Sequence, residues 1–149
     1  MNSEDQLKEV KEVLSAVVRF EEQRSYLLNV IDELRGSLYS SDTLNSLLYS
    51  LPIDLQKIFR KTMSGEEGSV RDKESFLKDI KDEVAGMLSC KVRLARYLLV
   101  EEKLWISAEL RRIIDENILI EVIIDPVILG GIVVEYDGRI YDYSLRRYL

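Results

Sequence analysis

The stretch Val122-Ile123-Ile124-Asp125-Pro126-Val127-Ile128-Leu129-Gly130-Gly131-Ile132-Val133-Val134 decides the fold of this chain. Its first residues complete the run Ile118 to Ile124, rich in β-branched side chains and short for a helix, which predicts a well-buried strand. Asp125-Pro126 breaks that strand, because proline removes a backbone donor. Gly130-Gly131 then opens a second strand through Tyr136. Asp137-Gly138 is the two-residue signal of a tight turn before Arg139, Ile140 and Tyr141. The strands on either side of that turn are expected to be antiparallel. Beyond them Asp142 or Ser144 is placed to cap a last turn of helix from Leu145 to Leu149.

Toward the N-terminus, Cys90, Val92 and Leu94 alternate with Lys91 and Arg93, a strand with one apolar and one charged side. Glu101 to Glu116 has helical period, with Ile106, Leu110 and Ile113 on one side and Leu104, Trp105 and Ala108 on another. One face of this helix can cover a sheet, and the other needs a different partner. The period changes near Ser89, which predicts a domain boundary there.

Residues 4–34 read as one long helix, with Val13, Val17, Phe20, Leu27, Ile31 and Leu34 in a stripe and Gly36 placed to stop it. Ser40, Ser41 and Asp42 offer caps for a short helix through Tyr49, and Pro52 suits the first turn of another ending near Met63. Ser64 to Ser69 reads as a linker or loop. A further helix from Val70 to Leu88 presents Phe76, Leu77, Ile80, Val84, Met87 and Leu88. The predicted class is therefore α+β. Residues 1–88 form an N-terminal bundle of about four helices, and residues 89–149 form a small α/β domain of strand, helix, strand, hairpin and short C-terminal helix.

Composition narrows the function. The 149 residues contain no histidine and a single cysteine, Cys90, which weakens hydrolase, zinc-enzyme and disulfide readings. A net charge of −6 opposes binding to a phosphate backbone, so no nucleic-acid partner is expected. Charges interrupt every apolar stretch, so no direct membrane insertion is expected. The opening Met-Asn-Ser-Glu-Asp-Gln reads as neither a secretory signal nor a transit peptide.

Each candidate for chemistry has a simpler structural role. Gly130-Gly131 could cradle a phosphate, but it lacks the spacing of a P-loop or a dinucleotide fingerprint and leads into a strand, so a structural turn is favoured. Asp125, Asp137 and Asp142 could form a carboxylate cluster, yet each sits where a turn or cap uses an aspartate. Ser144 has no histidine or nearby lysine base, so it reads as a cap and not as a nucleophile. No catalytic, cofactor-binding or metal-binding residue is assigned, and no cofactor. Trp105, Tyr141, Tyr143 and Tyr148 are the partner-binding candidates, since aromatics dominate interface hot spots. The alternative for all four is coverage of their own sheet or packing between domains.

The run Val122 to Val134, followed by Ile140-Tyr141-Asp142-Tyr143-Ser144-Leu145-Arg146-Arg147-Tyr148-Leu149, resembles the delta subunit of F-type ATP synthases. The mitochondrial counterpart of that subunit is the oligomycin-sensitivity-conferring protein. The family signature falls on Asp125, Pro126, Leu129, Gly130, Gly131, Asp142, Ser144, Leu145 and Leu149. The resemblance implies a non-catalytic peripheral-stalk subunit, cytoplasmic and peripheral to the inner (plasma) membrane. It would join the alpha subunits of the catalytic head, through its N-terminal helices, to the C-terminal helices of the b subunits and resist rotary torque. The family has six N-terminal helices where this chain has room for about four, so it reads as a shortened bacterial version.

Two other readings share part of the pattern. The E-type stalk subunit of archaeal and vacuolar ATPases resembles the Gly-Gly strand and the Asp-Gly-Arg-Ile turn, but Asp125-Pro126 favours delta, and Gly36, Pro52 and Ser64 to Ser69 interrupt a long coiled coil. A free-standing helix-binding adaptor would carry the same amphipathic stripes.

Overall fold

The computed structural model describes residues 3–63 and 70–144. The chain divides into two units, one of Met1–Val18 and Gln23–Gly86, the other of Arg19–Glu22 and Met87–Leu149.

The first unit is helical: α1 (Ser3–Val17), α2 (Glu21–Gly36), α3 (Ser41–Tyr49), α4 (Ile53–Met63) and α5 (Val70–Ala85). The buried side chains recur at helical spacing, as Val10 and Leu14 on α1, Leu27, Ile31 and Leu34 on α2, and Leu77, Ile80 and Val84 on α5. Phe59 is fully buried and meets Phe76 edge to face, with ring centroids 5.6 Å apart. Pro52 stands immediately before α4, and its carbonyl accepts the Gln56 N–H at 2.9 Å, which starts the helix. Ser40 precedes α3 as expected, although its hydroxyl donates to Thr43 Oγ1 at 3.1 Å instead of capping a backbone N–H. Lys11–Glu83 at 3.1 Å and Lys81–Asp32 at 2.7 Å link helices at the surface, where such pairs contribute little.

The single helix expected over residues 4–34 is two helices. Val18 to Phe20 leave the helical path, Ile120 N–H donates to the Arg19 carbonyl at 3.0 Å, and Phe20 forms a parallel bridge with Ile120. Local pattern favours continuity there, and a contact made one hundred residues later in the chain breaks it. The first unit therefore holds five helices among the described residues. The last of the five ends at Ala85, short of the expected Leu88.

The second unit is a four-stranded mixed sheet with one helix: β1 (Ser89–Leu94), α6 (Val100–Ile113), β2 (Leu119–Ile124), β3 (Gly131–Tyr136) and β4 (Arg139–Ser144), in the order β2-β1-β3-β4. β1 runs parallel to β2 and antiparallel to β3, and β3 pairs antiparallel with β4 as the Asp-Gly turn requires. Asp137 and Gly138 both have positive φ, 51° and 72°. On β1, Cys90, Val92 and Leu94 are buried and Lys91 is exposed, matching the predicted alternation. Their side of the sheet, with Ile118, Ile120 and Val134, receives Phe20 and, from α6, Ile106 and Leu110 followed by Ile114 just past its end. Ile113, expected on this face, is instead 65% exposed. Steps of four from Ile106 through Leu110 reach Ile114, and the sheet selects that phase. The other side is charged: Lys91 is in register with Glu121 and Glu135, and Arg93 lies 4.0 Å from Asp125 and 3.9 Å from Glu135. The predicted terminal helix, Leu145 to Leu149, and the predicted linker, Ser64 to Ser69, lie outside the described residues.

Between β2 and β3 the Asp125 carboxylate accepts the Val127 N–H at 3.1 Å, and Pro126–Ile128 form one 3-10 turn. Gly131 follows with φ of 80°, and a Cβ built there would lie 2.3 Å from the Tyr143 carbonyl oxygen. Gly131→Ala is expected to destabilise the chain by roughly 2–3 kcal/mol, since it combines a backbone clash with a left-handed φ. Gly138→Ala, with open space around its Cβ position, should lose only about 1 kcal/mol. Urea unfolding of the two variants checks that order.

Candidate functional site

α6 presents two faces. Ile106 and Leu110 pack on the sheet, while Leu104 and Trp105 are exposed, Trp105 by 66%. Ala108 lies one turn beyond on the same exposed side. The start of this helix is held by an unusual cap. Leu99 precedes α6 and has no polar side chain, so the Glu102 carboxylate turns back to accept the Leu99 N–H at 3.1 Å. Arg96 donates to both oxygens of the same carboxylate, at 3.1 and 2.5 Å. The Arg96 guanidinium and the Leu99 N–H together pull the Glu102 carboxyl down to about 2. At the other end Arg111 donates to the Ile118 carbonyl at 3.2 Å, and burial together with neighbouring Arg19 lowers its pKa. Trp105 is thus carried on a helix anchored at both ends.

Tyr141 and Tyr143 lie on β4 opposite Val134 and Ile132, so by strand alternation they point to the side of the sheet that α6 covers. Tyr143 is 63% exposed, and Tyr141 is exposed less. Tyr148, the fourth aromatic candidate, lies outside the described residues, as do Leu145 and Leu149.

The remaining singled-out positions shape the sheet ends. Asp142 accepts both the N–H and the hydroxyl of Ser144, at 2.8 and 2.6 Å, and Ser144 is buried. Asp125 and Asp137 stand at opposite ends of β3, a strand about 17 Å long, so the three aspartates do not converge. No group of three metal-ligating side chains gathers among the described residues. The space beside Gly131 is filled by the backbone of Tyr143 on the paired strand β4, where a phosphate cradle would need open N–H groups. Cys90 is buried, and desolvation pushes its thiol up to about 11, well away from a reactive thiolate. No described helix is long and apolar enough to cross a membrane.

A mixed sheet, one two-faced helix and a preceding set of amphipathic helices are the arrangement that periodicity and turn signals predicted. The profile of the ATP synthase delta (OSCP) subunit family matches residues 2–149. The chain belongs to that family. The ATP synthase subunit delta of Rickettsia canadensis is 28% identical over 124 residues, covering 82% of this chain and 64% of that protein. The protein of the same name from Desulforudis audaxviator is 31% identical over 141 residues, covering 79% of this chain and 78% of that protein. The one from Rickettsia bellii is 26% identical over 140 residues, covering 93% and 66%. This delta-family chain therefore spans just under two thirds of the two Rickettsia proteins.

Further apolar residues, beyond the four aromatic candidates for partner binding, are exposed. Tyr97 and Leu99 follow β1, Val127 and Leu129 follow β2, and all four are exposed on loops at the same end of the sheet, where Leu94 and Ile124 are in register. Leu129 has φ of 67°, a conformation unfavourable for a branched side chain, and is 62% exposed. The sequence signal was its place directly before Gly130-Gly131.

Because the folded-state pKa of Glu102 is depressed, its stabilisation is present above the ordinary glutamate range, near ~4.3, and is lost as pH falls through about 2. Carboxyl-carbon NMR should show Glu102 titrating near that lower value. In Arg96→Ala the midpoint should rise toward the ordinary one.

Proposed function

We propose that this delta-family chain is a non-catalytic peripheral-stalk subunit of an F-type ATP synthase. In this reading its N-terminal helices contact the alpha subunits of the catalytic head, and residues 89–149 receive the C-terminal helices of the b subunits. It lies on the cytoplasmic side of the plasma membrane, associated through the complex. Its task is to hold the head against rotary torque, which requires stiff, well-anchored contact surfaces and no active site.

The observation that carries this reading is α6. A helix that covers a sheet with one face and exposes Leu104 and Trp105 on the other suits the docking of a second helix. Tryptophan buries a large rigid area for little loss of side-chain freedom, and such residues dominate binding energy. The tyrosines Tyr141 and Tyr143 extend the aromatic surface on the same side of the sheet.

Calorimetric titration of the chain with a C-terminal peptide of its cognate b subunit is expected to give saturable heat at one site. Trp105→Ala should weaken that binding at least tenfold, about 1.4 kcal/mol, while leaving thermal unfolding nearly unchanged. An absence of heat across soluble concentrations would count against the assignment. Unaltered affinity in the variant would move the contact away from α6.

A further inference from the structure

The turn between α3 and α4 gathers large side chains that the core of the helical unit does not use. Tyr26 of α2, Tyr49 at the end of α3 and Ile53 at the start of α4 are 52%, 69% and 70% exposed. The Tyr26 hydroxyl donates to the Ser50 carbonyl at 3.3 Å, and Gln56 Nε2 donates to the carbonyls of Tyr49 and Leu51 at 3.2 and 2.7 Å. These bonds tie three helices at one corner, so the exposed patch is held in shape before any partner arrives. The Arg60 guanidinium carbon lies 4.3 Å from the centre of the Tyr49 ring. Its Nη2 is shielded from water and meets no acceptor among the described residues. Ile53, Lys57 and Arg60 recur at helical spacing on one stripe of α4, a helix with three cations and one acid in a chain of net charge −6.

We propose that this corner is the docking surface for an amphipathic helix edged with carboxylates. The inference rests on the stalk reading above and names the part of the helical unit that meets the alpha subunits. The apolar stripe of such a helix covers Tyr26, Tyr49 and Ile53, and tyrosine and arginine are among the residues that dominate contacts of this kind. A carboxylate on its edge gives Arg60 Nη2 the acceptor it lacks. A shielded nitrogen without an acceptor costs free energy in the unbound chain, and the charge-assisted bond removes that cost on docking. Stacking on Tyr49 holds the planar guanidinium ready for this bond, which a lysine could not reproduce. Lys57, on the same stripe, adds the local positive charge that selects an acidic partner although the chain as a whole is acidic.

Calorimetric titration of the full chain with an N-terminal peptide of its cognate alpha subunit tests this. Saturable binding is expected, weakened at least about tenfold by Tyr49→Ala and lost to a similar degree when the acidic residues of the peptide are replaced by their amides. Affinity should fall as salt is raised, and Arg60→Gln should flatten that dependence, a readout that a purely structural role would not move. Should Arg60→Gln fail to fold, Ile53→Ser, at an exposed position, is expected to weaken binding instead. Unchanged affinity in the variants that fold would overturn this proposal and leave the stalk reading standing. An absence of binding to the unmodified chain would overturn the head contact itself, and this proposal with it. Self-association of the chain that Tyr49→Ala abolishes would place a second copy on the corner and also overturn it.

Discussion

Strand β1 has both edges occupied, by β2 in parallel and by β3 antiparallel, so its alternation sets the sidedness of the whole sheet. Val92 is in register with Val122 and with Val134, and Val134 is in turn opposite Tyr141. A shift of one residue would turn Cys90, Val92 and Leu94 toward the charged side and Lys91 and Arg93 into the core. Burying unpaired cations in that way is far more costly than burying apolar side chains is favourable, so the register is strongly specified. From it follow the side on which α6 lies and the side to which the β4 tyrosines point.

The loop between β2 and β3 works against a second constraint. Of the positions that carry the resemblance in this loop, Asp125, Pro126 and Gly131 have a physical reason here. Asp125 caps the turn and faces Arg93, Pro126 begins it, and Gly131 lets the Tyr143 backbone approach where any side chain would collide. Leu129 is the odd member, held at positive φ while its side chain faces solvent. Strain of this kind persists only where the surrounding structure determines the backbone, as the flanking cap and glycine do here.

The helical unit and the sheet unit differ in how they are defined. Within the helical unit the buried residues are close in sequence and follow one period, so helix boundaries depend mostly on local signals such as Pro52 and Gly36. The sheet unit depends on pairings between distant segments, including Arg19 and Phe20 from far upstream. A domain drawn as one continuous stretch therefore misses four of its residues.

Taken alone, the sequence determined the α+β class, the order of elements from Ser89 to Ser144, the Asp137-Gly138 hairpin and the two-faced character of α6. These are legible because period and turn chemistry are local properties that few side chains are needed to express. It also pointed to Trp105, Tyr141 and Tyr143, all of which are exposed, without distinguishing a contact surface from packing. Only the tertiary structure decided that the first helix breaks, that Ile114 and not Ile113 meets the sheet, and that Leu129 is turned outward. The helix break and the phase of α6 came from burial and backbone pairing supplied by residues distant in the chain, which no local pattern encodes.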